Sequence, residues 1–326
     1  MKKLFEARGM KKIFLLILTY GIVQLLISTN IINYYLQDYL AQICINIILA
    51  LGLNLVTGFT GQFSLGHAGF MSIGAYTCAI INMNMNSTAG FLVGLFAGAV
   101  LAATVGIVVG LPTLRLKGDY LAIATLGMAE IIRIVFLNLK ITNGAAGLSQ
   151  IPQFVNWNWL FIFTMGTLIV ISNFLKSSHG RACISIREDE IAAEAMGINT
   201  IKYKVISFVI GAFFAGIAGA LYSSYFYFIK PDIGGFSKSI DILVIVVLGG
   251  MGSLSGSILS SILLAVISVF LSRFPEIRMI IYSLILVCIM IFRPQGLMGS
   301  KELSLNIFKN ASKKLVNLFS VKKGRV

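Results

Sequence analysis

The chain has 326 residues, 57% of them hydrophobic and only 12% charged, against roughly 45–50% apolar and about 25% charged in soluble domains. With a mean hydropathy of +0.91 and several apolar runs near the roughly 20 residues that cross a hydrocarbon core, composition excludes an ordinary soluble protein. Lys and Arg number 26 against 12 acids, a formal net charge of +14, which in a membrane protein records orientation rather than a nucleic-acid partner.

Met1 to Lys12 carries five basic residues and leads into an apolar run from Ile13 to Ile27 that resembles the front of a signal peptide. Ser28-Thr29-Asn30 stands where a small-x-small cleavage site would be, so the run reads as an uncleaved first helix. The fold class is all-α and polytopic, with about ten transmembrane helices predicted at 13–29, 39–57, 65–82, 90–111, 119–138, 159–175, 205–228, 240–252, 255–271 and 279–292. The third and eighth are interrupted by glycine and polar residues. With the amino terminus inside, twenty Lys/Arg fall on the inner side and five on the outer, Arg133 lying within the fifth helix. Nine crossings would put the eight basic residues from Arg293 onward outside, so the bias predicts an even count and cytoplasmic N- and C-termini.

Three divisions follow: a basic amino terminus (1–12), a transmembrane domain (13–292) holding a cytoplasmic loop at 176–204, and a basic tail (293–326). Ile307, Phe308, Leu315, Leu318 and Phe319 in the tail also suit an amphipathic helix on the inner leaflet. Trp157 and Trp159 precede the sixth helix as interfacial anchors. Four cysteines, Cys44, Cys78, Cys183 and Cys288, lack metal or CxxC spacing and read as small apolar residues.

Polar chemistry concentrates in the 176–204 loop. Ser185 with Glu188 has capping-box spacing, Glu188, Asp189 and Glu190 crowd a first turn, and Gly197 suits a left-handed stop, so a helix is predicted over 186–196. Its apolar face is Ile191, Ala192, Ala195 and Met196. Glu190 and Glu194 face each other at i,i+4 without compensation, a surface another protein could complete; a solvated connector helix is the equal alternative.

Two glycine-rich breaks interrupt the apolar pattern. The first holds Gly58, Gly61, Gly66 and Gly69 beside Gln62, Ser64 and His67; the second runs from Gly249 to Gly256 through Gly250, Gly252 and Ser253. Paired breaks in two halves of a chain point to a transport path, while close helix packing through small residues is the competing reading. The path reading leads for the first break and is even for the second. Glu130 and Arg133, three apart in the fifth helix, read as a mutually neutralising pair. His67 has no second ligand at metal spacing, so a packed, hydrogen-bonded histidine is expected and no metal site is.

Ala192-Ala193-x-x-x-Gly197 resembles the cytoplasmic loop by which membrane subunits of ABC transporters dock on their ATP-hydrolysing partners, although that motif's leading Glu falls on Ile191. Leu51-Gly52-Leu53-Asn54-Leu55, the run Gly58 to Phe70, Arg115 to Gly127 and Thr142 to Leu148 resemble permease subunits of branched-chain amino-acid ABC importers, over roughly residues 35 to 300. The resemblance implies a heterodimer with a sister permease, two ATP-binding subunits, and an extracytoplasmic substrate-binding protein, in the cytoplasmic membrane of a prokaryote. It makes Arg187, Glu188, Glu190, Ala192, Ala193, Glu194 and Gly197 the coupling residues, and ATP and Mg cofactors of the partners rather than of this chain.

No G-x-x-x-x-G-K-[ST] occurs, nor any Gly-Lys dipeptide, so the chain carries no ATPase motif of its own. Permeation of urea or short amides is an alternative within the family. An ion-coupled transporter would need a relay of buried carboxylates, and Glu130 is the only acid well within a predicted span. An intramembrane enzyme would need a nucleophile with a base, or clustered metal ligands, and His67 has no visible partner for either role.

Overall fold

Backbone in hydrocarbon must satisfy its own hydrogen bonds, and the apolar runs accordingly fold as helices. A computed structural model describes residues 18–29, 31–270 and 296–299, together with Ile281, Leu284, Val287 and Ile291. The helices are α1 (Leu18–Ser28), α2 (Tyr34–Asn54, continued as a π-helical turn over Leu55–Phe59), α3 (His67–Met85), α4 (Thr88–Thr113), α5 (Asp119–Asn138), α6 (Trp157–Lys176), α7 (Ser178–Glu188), α8 (Glu190–Ala195), α9 (Thr200–Phe226), α10 (Phe236–Gly249) and α11 (Leu254–Phe270). The predicted first crossing is described only from Leu18. The basic amino terminus, most of 279–292 and nearly all of the tail lie outside the described residues.

Among the described residues, five helices are long and apolar enough to span a bilayer: α2 with its π turn, α4, α5, α6 and α9. The protein is therefore a helical, multi-pass membrane protein. α1 and α11 are shorter apolar helices, and α3 has spanning length but carries His67, Ser72, Asn82 and Asn84. α10 has 14 residues, roughly 21 Å at 1.5 Å per residue, short of the roughly 30 Å core. The chain ahead of it makes up distance as a 3₁₀ turn, Pro231–Gly234, laid directly on α3: a Cβ on Gly234 would stand 2.8 Å from Ser72 Oγ.

The expectation of two helices broken within their length needs correction. α3 and α10 are each continuous; the first break lies before α3, over residues 60–66, and the second after α10, over 250–253. Positive φ at Gly61 (75°), Gly250 (109°) and Gly252 (90°) turns the chain out of each helix, a backbone conformation that favours glycine.

α3, α4 and α9 form the centre of the bundle. A Cβ on Gly74 of α3 would collide with the Gly216 carbonyl of α9, so these helices touch backbone to backbone, as small residues permit in membranes. At one end, β1 (Leu148–Ser149) and β2 (Phe228–Ile229) pair antiparallel, Leu148 opposite Ile229. Buried Tyr76 stacks on Phe136 there, centroids 4.4 Å apart. The helices joined by the two breaks, and the α7–α8 segment, meet at the opposite end.

Candidate functional site

The two breaks, far apart in sequence, contact one another. Asn54, fully buried at the end of α2, donates from Nδ2 to the Ser253 carbonyl (2.9 Å) and to Ser257 Oγ (2.8 Å), and its Oδ1 accepts the Gly252 N–H (2.8 Å). All its amide groups thus serve the other break. Gly58 lies on Gly252 so closely that a Cβ would strike the Gly252 nitrogen. Ser253 Oγ accepts the Gly256 N–H at 3.0 Å and starts α11. Residues 296–299 join the same end: Leu297 N donates to Leu248 O at 2.9 Å, and Gly296 packs on Gly250.

The first break also leans on α5. Leu65 N donates to Thr125 Oγ1 at 3.1 Å, and a Cβ on Gly66 would stand 2.6 Å from the Thr125 carbonyl oxygen. Ser64 is buried, its Oγ accepting the Gly66 N–H. Gln62 is buried with neither amide atom hydrogen-bonded, and His67 is buried with Nε2 unbonded. The histidine is packed as expected, against Gly52 of α2, and meets the Leu49 backbone in a hydrogen bond, while its Nε2 has no partner. Unpaired buried polar groups cost about 1–3 kcal/mol each, and such groups in a folded protein call for a reason.

The 176–204 loop differs from its prediction. α7 starts at Ser178, with Ser177 Oγ accepting the Gly180 N–H. Ser185 therefore sits inside a helix and donates to Ala182 O, so it caps nothing. The cap is Asp189, extended at φ −157°, whose Oδ1 accepts from Ile191 N (2.9 Å) and Ala192 N (3.0 Å) to start α8. In place of one helix over 186–196 there are two with a corner at Asp189. Gly197 ends α8 in the left-handed region at φ +83°.

Glu190 and Glu194 are not an uncompensated pair. Glu190 Oε1 accepts from Lys204 Nζ at 2.7 Å, and Glu194 Oε1 accepts from Thr200 Oγ1 at 2.7 Å. Both acids brace α8 on the first turns of α9, and the Lys204 side chain is only 10% exposed. Ala193 turns into the bundle, whereas the predicted apolar face of α8 points outward, Ile191 at 77% and Met196 at 83% exposure and Ala192 and Ala195 beside them. Glu188 is also exposed.

α7 is seated by buried Ile186 and Cys183, the thiol meeting the Tyr203 carbonyl and the Thr60 hydroxyl. Burial pushes the Cys183 thiol up to about 11, the Thr60 contact offsetting part of that rise. Arg187 reaches the breaks: its Nη1 donates to the Gly58 carbonyl at 2.7 Å. The sequence-predicted residues of both breaks and of the loop are thus brought to one end of the bundle.

Ser257, Thr200 and the long-range roles of Asn54 and Lys204 complete this site and escaped the sequence reading, while Asp189, read as a first-turn acid, is the cap of α8. Glu130 and Arg133 lie away from it. They pair at 2.7 Å, and Arg133 also meets Asp232 at 3.5 Å, a partner brought in by the turn before α10.

The architecture is that of a multi-pass helical membrane protein whose two irregular connectors converge beside α7 and α8. The family model described as "Branched-chain amino acid transport system / permease component" matches residues 35–290. The chain is 39% identical over 304 residues to the high-affinity branched-chain amino acid transport system permease protein LivM of Escherichia coli K12, covering 82% of this chain and 71% of the relative. To the LivM protein of Salmonella typhimurium it is 37% identical over 311 residues, covering 85% and 73%. To the permease protein LivH of the same organism it is 27% identical over 288 residues, covering 78% and 91%. No solved structure is significantly similar to the chain. The chain belongs to the family of permease components of branched-chain amino acid transport systems.

Proposed function

We propose that this chain is the membrane-spanning permease subunit of an ABC importer that carries leucine, isoleucine or valine across the cytoplasmic membrane of a prokaryote. It works with a sister permease, two ATP-binding subunits that hold ATP and Mg, and an extracytoplasmic binding protein. The outward apolar face of α8, beside the point where the two connectors meet, is the observation that carries this reading. Ile191 and Met196 are a docking knob for an ATPase groove. The bracing of Glu190 and Glu194 on α9 passes the knob's movement into the centre of the bundle. Counting Lys and Arg supports placing this end in the cytoplasm.

Gln62 and His67 support a solute path through the first connector, because each has hydrogen-bonding capacity that a second state of the path, or its solute, can use. An ion-coupled mechanism is disfavoured: Glu130, the carboxylate in the interior of that helix, already pairs with Arg133. The test is uptake into proteoliposomes holding the complete importer and its binding protein, with leucine, isoleucine, valine, urea and a short amide in parallel. Uptake of the three amino acids, dependent on ATP, is expected. Uptake of urea or the amide alone gives the substrate to the alternative, and uptake without ATPase subunits sinks the coupling scheme.

A further inference from the structure

We infer that Arg187 is a latch: its guanidinium clamps the two connectors together, and displacement of the α7–α8 segment withdraws it. The latch rests on the proposed reading of that segment as the ATPase contact, and it assigns the step by which movement there opens the permeation end of the bundle.

Arg187 is the penultimate residue of α7, two residues before the Asp189 corner where the helix restarts. The element that bears the docking knob therefore also bears this side chain. Its Nη1 bonds the Gly58 oxygen, at the end of the continuous α2 and π-helical run, where unsatisfied carbonyls and the helix dipole favour a cation. Gly252 of the other connector closes on the same two atoms. A Cβ there would stand 2.5 Å from Nη1 and 3.3 Å from the Gly58 oxygen, so guanidinium, carbonyl and Gly252 share one contact. Gly61 packs on the stem of the side chain, a Cβ there lying 3.4 Å from Arg187 Cα and Cγ.

The competing partner is weak: Glu188 stands 3.9 Å from Arg187 Nε and is 72% exposed. The guanidinium is thus held by the connector backbone more firmly than by its own segment. Cys183 of α7 also meets this region, at Thr60, but Arg187 differs in touching both connectors. Asn54 ties the connectors from inside the bundle, so withdrawing Arg187 loosens the junction without dissolving it. A charge-assisted hydrogen bond of this kind shifts a two-state equilibrium by roughly 10–100-fold, enough to bias a gate that must still open.

Hydrogen exchange on the purified, nucleotide-free importer tests this. Arg187→Ala is expected to speed exchange by roughly 10–100-fold at amides of both 60–66 and 250–256. Arg187→Met, which keeps the stem packed on Gly61 and removes the donors, should reproduce the pattern at both connectors. Arg187→Lys, retaining one donor, should fall between. In the same preparations Arg187→Ala should hydrolyse ATP with less solute carried per ATP while the ATPase subunits still co-purify. Loosening of one connector only, or wild-type exchange in Arg187→Ala or Arg187→Met, would overturn the latch. Should Arg187→Ala fail to assemble, Arg187→Met and Arg187→Lys decide the matter by the same exchange criteria. If ATPase subunits fail to co-purify even with the unaltered chain, the docking reading falls, whereas exchange still decides the latch.

Discussion

At the end of the bundle that holds β1 and β2, the chain after α5 pairs its backbone with the chain after α9: Leu148 faces Ile229, and Ile151 N donates to Tyr227 O at 3.2 Å. Gln153 and Asn82 add bonds to the Tyr225 and Pro152 carbonyls at 3.0 and 2.9 Å. At the other end no strand pairing joins the two connectors among the described residues; the side chains of Asn54 and Arg187 do so across glycine backbone. Paired backbone resists sliding because its register is shared by several bonds. A junction made by two side chains can part by two rotations. Under the proposed coupling, that contrast makes the α7–α8 end the moving one and the strand-paired end the fixed one.

The largest effect is expected from reversing the braces on α9. In Glu190→Lys with Glu194→Lys, the nearly buried Lys204 loses its counter-charge and meets a like one, at about 3 kcal/mol, the low end of the range because Glu190 keeps some exposure. Uptake in proteoliposomes should fall about a hundredfold while ATP hydrolysis continues. Normal transport by the double variant would remove α8 from the coupling scheme. Glu190→Lys alone should be worse than Glu194→Lys, since Thr200 is neutral.

The contrast between ends is sharpened by two asparagines. Asn54→Ala leaves the Gly252 N–H unpaired in a buried site, while the Ser253 carbonyl keeps the Ser257 N–H and hydroxyl; it should cost about 2 kcal/mol in a thermal or denaturant unfolding assay, with transport impaired. Asn82→Ala, at the strand-paired end, should cost about 1 kcal/mol and leave transport intact. Equal transport defects in the two variants would erase the distinction between moving and fixed ends.

Smaller again is the docking knob. Ile191→Asp or Met196→Asp removes apolar area buried only on assembly, about 1.5–3 kcal/mol. ATPase subunits should dissociate more readily in pull-down titrations, and the permease's own melting temperature should not move. The smallest effect is on Cys183: with its thiol raised by burial to about 11, too little thiolate exists at pH 8 for rapid maleimide labelling. Labelling at pH 8 should rise when nucleotide-driven movement lifts α7 from Thr60 and exposes the thiol.

Much of this was legible in one dimension. Runs of apolar residues marked the spans, paired glycine clusters marked the connectors, and Gly197 marked the stop of α8. Long-range polar partners were hidden. Asn54 is an isolated amide in an apolar run, and its partners lie 198 to 203 residues away. Lys204 counted as one more cytoplasmic charge because its neutralisation by Glu190 exists only once α8 folds back on α9. The Ser185–Glu188 spacing misled because a capping box requires a non-helical serine, and Ser177 had already started the helix that runs through Ser185. Asp189, also a good cap residue, was read as dipole decoration. Breaks placed inside helices proved to lie at their ends, since glycine content locates irregular backbone to within a few residues only.

The most direct test of a moving α7–α8 end is a distance across the junction. Phe63 and Met251, one on each connector, are exposed at 39% and 44% and accept spin labels as Phe63→Cys and Met251→Cys in a chain whose four native cysteines are replaced. Measured by pulsed electron resonance in the complete importer, the inter-label distance should lengthen when the ATPase subunits are trapped with nucleotide. A distance that stays constant while the labelled importer still transports would contradict a gate at this junction.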